Sequence, residues 1–109
     1  MEITKKDTCI LFNFNDLADW NTFHEANGAN EFSTQYHQNT IFSFPENVSF
    51  DELLLENLGK FSLALSELNK SFVVVTDFAK EDIDHELNLV PTENEAIEFI
   101  FMEEIERSL

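Results

Sequence analysis

Ser71-Phe72-Val73-Val74-Val75-Thr76, followed downstream by Pro91-Thr92-Glu93-Asn94-Glu95 and an amphipathic tail to Leu109, decides how this chain folds. A short, nearly all-apolar run rich in β-branched residues reads as a central strand covered on both faces. Thr92 with Glu95 is the pattern of a helix N-terminus, placed just after a proline. Ala96, Ile97, Ile100, Phe101, Ile105 and Leu109 then recur at helical spacing, which predicts a final helix whose stripe packs on the sheet. A buried strand leading into a capped surface helix is the end of an α/β domain.

Working back toward the N-terminus, the same alternation repeats. Thr8 to Phe14, dense in Ile, Leu and Phe, predicts a strand. Asp16 is placed to cap a helix carrying Leu17, Trp20, Phe23 and His24 on one face, with Asn27-Gly28 as its stop. Ala29 to Gln38 is polar, anchored only by Phe32 and Tyr36, and reads as a loop or a short helix. Asn39 to Phe44 alternates, and Pro45 closes that strand. Ser49-Phe50-Asp51-Glu52 reads as a capping box, with Val48 stapled to Leu53, and opens a helix through Leu54, Leu55, Leu58, Phe61, Leu65 and Leu68 to Asn69-Lys70. Asp77 to Glu86 predicts a short acidic helix or turn, and Leu87 to Val90 a brief last strand. The expectation is one α/β domain over residues 1–109, with a mainly parallel sheet of about four to five strands joined by helical crossovers.

Composition agrees. A chain of 109 residues with 43% hydrophobic content and 12 Phe has material for one core. Two Gly and two Pro leave no sign of a linker or a second domain. Against 22 acidic residues stand 6 Lys and Arg, a net charge of −16 that repels phosphate backbones and argues against direct nucleic-acid binding. Cys9, the single cysteine, excludes an internal disulfide and reads as a strand-buried thiol. The start of the chain lacks the apolar core of a signal peptide, and no run is long enough to span a bilayer, so the expectation is a cytoplasmic protein without membrane contact.

No catalytic motif emerges. His24 lies on the apolar side of its helix and His37 in the polar segment, neither with a second histidine at helical spacing. The run Glu81-Asp82-Ile83-Asp84-His85-Glu86 lacks the glycine-centred calcium-loop pattern and reads as a solvated acidic face. Gly28 and Gly59 stand alone, so there is no phosphate-cradling loop, and no serine occupies a glycine-flanked elbow. The chain is expected to be no enzyme, with no catalytic residue, metal site or cofactor.

The order of elements, the helix start at Ser49 to Glu52 and the C-terminal tail resemble the STAS family, the bacterial anti-sigma-factor antagonists, best over Asn39 to Leu109. In that family a strand leads into an Asp-Ser-Ser-Gly turn that opens a long helix. Here Asn39 to Phe44 takes the strand's place and Asp51-Glu52-Leu53-Leu54 stands where Asp-Ser-Ser-Gly would be. The family's phosphorylated serine is therefore replaced, and no phosphorylation is expected. The resemblance implies a degenerate, non-catalytic protein-interaction module whose partner is an anti-sigma factor or a kinase-like regulator. Its contact surface would be Ser49, Asp51, Glu52 and Leu53, with Glu52 supplying permanently the charge that a phosphate supplies in relatives. Two other classes follow from the residues: an acidic decoy occupying a basic nucleic-acid-binding surface, and a small-ligand domain using the carboxyl ends of the strands.

Overall fold

The computed structural model describes residues 1–46, 48–77 and 87–109. Its apolar runs pair into a mixed, mostly parallel sheet of five strands: β1 (Glu2–Lys5), β2 (Cys9–Asn13), β3 (Asn39–Ser43), β4 (Phe72–Val75) and β5 (Leu89–Val90). The strands lie side by side in chain order, with β2 to β5 parallel and β1 antiparallel on the outer edge. Among the described residues the helices are α1 (Leu17–Ala26), α2 (Ala29–Tyr36), α3 (Glu52–Glu67) and α4 (Glu93–Arg107). The α/β expectation holds at this level.

Strand order dictates where the helices go. Crossovers of one hand that always step the same way across a sheet deliver their helices to the same face. Residues from α1, α2 and α3 accordingly share one core with Ile10, Phe12, Phe14, Phe42, Phe44, Phe72 and Val74. α4 follows the last strand, makes no crossover, and folds over the opposite face onto Leu11, Ile41, Val73 and Val75. The two cores differ in kind. Among the described residues nine Phe pack in the first, where Phe42 is the hub, its ring centroid 4.9 Å from Phe72, 5.2 Å from Phe61 and 5.3 Å from Phe14. Edge-to-face aromatic packing of this kind adds to the area each ring buries.

Two elements depart from the expectation. β1 was not anticipated, because Glu2-Ile3-Thr4-Lys5 offers one apolar residue and is exposed throughout, as an edge strand can be. The Lys6 N–H donates to the Cys9 carbonyl at 2.8 Å and closes the hairpin into β2. The segment left between loop and helix is α2: Phe32 is fully buried and supplies the tertiary anchor that its polar neighbours lack. Gly28 does not end α1 in a left-handed conformation. Asn27, in an extended conformation, ends it with both its backbone and side-chain N–H on the Phe23 carbonyl, while Gly28, at φ −68°, is the residue that opens α2.

The end of α3 is a Schellman motif with asparagine in the position glycine usually takes. Asn69 adopts φ 59°, its N–H donates to the Ser66 carbonyl and that of Lys70 to the Leu65 carbonyl. Beyond Asp77, the acidic helix or turn expected to Glu86 lies outside the described residues, and so does the run Glu81 to Glu86.

α4 begins at Thr92 as expected, the Thr92 hydroxyl accepting the Glu95 N–H at 3.2 Å. It is tied down at its far end by a partly buried polar cluster. Asn39 donates to the Thr8 carbonyl and to the Glu104 carboxylate and accepts the Ser71 N–H at 2.8 Å, while Arg107 donates to the Ser71 hydroxyl at 3.1 Å. The cluster joins the starts of β3 and β4 to the helix lying across them. The expected stripe is only half used, however. Ala96 and Ile100 are fully buried, but Phe101, Ile105 and Leu109 are exposed, because the helix turns their side of the stripe beyond the strands it covers.

Candidate functional site

Parallel strands put the starts of α1 and α3 side by side at the carboxyl end of the sheet. α1 opens at Asp16, whose carboxylate accepts the Asp19 N–H at 2.8 Å. α3 opens at Asp51, whose carboxylate accepts the Leu54 N–H at 2.9 Å. This corrects the capping box expected at Ser49 to Glu52. The cap lies two residues later, and the staple moves with it. Phe50, immediately before the cap, and Leu55, four into the helix, are both buried, with Phe50 edge-on to Phe44 at 5.4 Å. Burying a phenylalanine in this frame outweighs what the Ser49 frame gains from Leu53.

The shift has a direct effect on the surface. Leu53, relieved of the staple, is 67% exposed, and Leu17 on α1 is 42% exposed. The two face a groove of about 150 Å3 between α1 and α3 whose wall includes Trp20, His24, Asp51 and Asn57. Trp20 is buried and forms the groove's rigid back. The His24 ring stacks on Trp20 at 5.5 Å and 6° between planes, and its Nε2 lies 3.5 Å from the Asn57 side-chain nitrogen. Of the four expected contact residues, Asp51 and Leu53 line this groove. Ser49 and Glu52 are exposed beside it and are not part of its lining. The Ser49 carbonyl accepts the Asp51 N–H at 3.1 Å, while Asp51 does the capping that the Ser49 hydroxyl was expected to do.

The other singled-out residues are dispersed. His37 is exposed at the end of α2, in a left-handed conformation at φ 44°. Cys9 is buried in β2 on the α4 side. Burial pushes its thiol above the ordinary value, with Lys6 pulling it back and Glu104 adding to the rise, so the thiol stays protonated and unreactive at neutral pH. No group of three or more His, Cys, Asp or Glu among the described residues is arranged to hold a metal ion. Among those residues, too, no helix is long and apolar enough to cross a membrane.

The groove brings together two protruding leucines, a buried aromatic floor, and the carboxylate of a helix cap at the rim. The α1 side was missed in the sequence, where His24 signalled only its place on an apolar face. Its pairing with Asn57, 33 residues away, has no local signature. The chain matches no protein-family model and no curated protein sequence.

Proposed function

We propose that this protein is a non-catalytic interaction module that engages a protein partner through the groove between α1 and α3. The observation carrying this reading is the pair of protruding leucines, Leu17 and Leu53, set over buried Trp20 beside Asp51. Exposed apolar side chains clustered over a rigid aromatic floor are what an anchor-type interface offers, whereas scattered ones are ordinary. The resemblance to the STAS family makes an anti-sigma factor or kinase-like regulator the partner to try first. Unswitched binding remains part of the proposal, with Glu52 as the standing negative charge. With the cap at Asp51, the Ser49 hydroxyl does not hold the start of α3, so phosphorylation has to be measured directly.

The test is complex formation with the kinase-like regulator encoded in the same genome, in the presence and absence of ATP. Binding that is independent of ATP and lost in Leu53→Asp, with the unfolding midpoint unchanged, supports the reading. Stoichiometric phosphate on Ser49, or a complex indifferent to Leu53→Asp, refutes it. The acidic-decoy alternative rests on the net charge of −16 and predicts affinity that falls steeply with salt, whereas docking through the leucines does not. A groove of about 150 Å3 is small beside the roughly 300–1,000 Å3 of small-molecule sites, so a ligand-binding role has the least support of the three.

A further inference from the structure

On the other side of the sheet, α4 exposes an apolar row that its own packing does not use. Ala96 and Ile100 face the strands, while Phe101, Met102 and Ile105 are 63%, 55% and 40% exposed. Ile97, Phe101, Ile105 and Leu109 recur every fourth residue. Four residues turn an α-helix by about 400°, so the row leaves the sheet after half-buried Ile97 and is exposed at Phe101 and Ile105, while Leu109 lies beyond the end of the helix. Its position is fixed by the polar contacts at the helix end. Arg107 reaches Ser71 at the start of β4 and Glu104 reaches Asn39 at the start of β3. Phe101 and Ile105 lie further round the helix in the same sense, on the side of β2, whose Cys9 and Leu11 are buried in the core under α4, and of the exposed edge strand β1 beyond it. Thr4 and Glu2 are paired with Leu11 and Asn13 there and line the same side.

Charge says what can cover this row. Glu95, Glu98 and Glu106 are exposed on the outer surface of α4, and Arg107, the one cation in the helix, is turned inward to Asn39 and Ser71. Lys5 and Lys6 lie in the cleft beside Glu104, so the acidic rim is strongest toward Glu95 and Glu98. A second copy would bring the same carboxylates together between two chains of net charge −16, and an anionic lipid surface would be repelled in the same way. We propose that this face of α4 docks a cationic amphipathic helix of a partner protein. Its apolar side chains sit on Phe101, Met102 and Ile105 and its Lys or Arg residues pair with Glu95, Glu98 and Glu106. The site stands on the sheet face opposite the α1–α3 groove and does not depend on the function proposed for that groove.

The test uses the full chain and a fluorescent synthetic helix of Leu and Lys with apolar residues at three- and four-residue spacing. A scrambled peptide of equal composition serves as the control, and binding is read by anisotropy at physiological salt. The patterned peptide should bind at least tenfold more tightly than the scrambled one. Phe101→Ser with Ile105→Ser should erase that advantage without moving the unfolding midpoint, and Glu95→Gln with Glu98→Gln should reduce affinity severalfold and flatten its salt dependence. Leu53→Ser should change nothing. Absent binding, equal binding of the two peptides, or full binding to the Phe101/Ile105 variant overturns the proposal. So does loss of binding in Leu53→Ser, which would assign the peptide to the α1–α3 groove, or a concentration-dependent dimer abolished by the α4 substitutions.

Discussion

Asp51→Ala is the substitution that separates the observed start of α3 from the one suggested by the Ser49 pattern. In the structure the Asp51 carboxylate holds the Leu54 N–H at 2.9 Å and stands at the positive end of the α3 dipole. Removing an N-cap side chain costs about 1 kcal/mol, within a range of roughly 0.5–2, and losing a carboxylate at that terminus adds about 0.3–1 kcal/mol. In a chain of net charge −16, deleting one negative charge also relieves some self-repulsion, which works against the loss. Asp51→Asn controls for this, since it removes the same charge but keeps a side-chain oxygen that can accept the N–H. The difference between the two variants isolates the hydrogen bond, and it should come to about 1 kcal/mol, or roughly 4–6 °C in melting temperature. Ser49→Ala should stay within about 0.5 kcal/mol of the parent, as an exposed substitution away from a cap does. Urea unfolding followed by far-ultraviolet circular dichroism gives these values from the midpoints, provided the slopes agree. If Ser49→Ala cost as much as Asp51→Ala, the cap would lie at Ser49, Leu53 would belong to the staple, and the groove would lose its exposed anchor.

Four further outcomes follow from the same structure. Gly59 lies in the middle of α3, and a β-carbon built there meets nothing within 4 Å, so Gly59→Ala should raise stability by about 0.8–1 kcal/mol in the same urea assay. On α4, Ile100→Ala should cost about 2–5 kcal/mol, while Phe101→Ala, one residue on but outside the core, should stay within about 0.5 kcal/mol. Cys9 should resist a disulfide-exchange reagent such as DTNB in the folded protein at pH 8 and react fully in urea, because burial holds its thiol protonated. Asp19 accepts the Asn15 N–H and pairs with the Met1 ammonium at 2.8 Å, which holds its carboxyl below the ordinary value. Because the folded value is the lower one, its contribution is present above about pH 4 and is lost as pH falls through the folded value. The stability difference between the parent and Asp19→Asn should therefore shrink toward zero in acid.

What could be read from the residues divides along physical lines. β2 and β4 were legible as dense apolar runs covered on both faces, β3 by its alternation ahead of Pro45, and the inward face of α3 because its period is carried by large side chains. β1 was not, since its only warrant is pairing with β2, and an edge strand needs no apolar pattern of its own. The start of α3 was ambiguous because two overlapping frames each offer a polar cap and a hydrophobic staple: Ser49 with Val48 and Leu53, or Asp51 with Phe50 and Leu55. Only the fold shows which aromatic ring has a pocket, and Phe44 provides it for Phe50. Asp51 and Leu53, expected at a contact surface, line the groove although the helix cap lies at Asp51 and not at Ser49. Leu17, Trp20 and His24 were missed because the groove exists only once α1 and α3 are neighbours.

The unequal thickness of the two cores accounts for where open surface remains. Nine phenylalanines and a tryptophan on one face of the sheet demand several covering helices, and α1, α2 and α3 supply them. The opposite face carries smaller side chains over β2, β3 and β4 and, among the described residues, is closed by one helix, anchored where Asn39, Ser71, Glu104 and Arg107 meet. A single helix cannot lie over five strands that each occupy roughly 4.8 Å of width. Edge strand β1, exposed throughout, is therefore left beside it, with Phe101 and Ile105 on that side of the helix. Periodicity shows that a helix has an apolar side, and it assigns that side to the core only when the neighbouring layer is wide enough to receive it. In α4 the apolar side is wider than the contact, and the excess, rimmed by carboxylates, is surface that stability does not require.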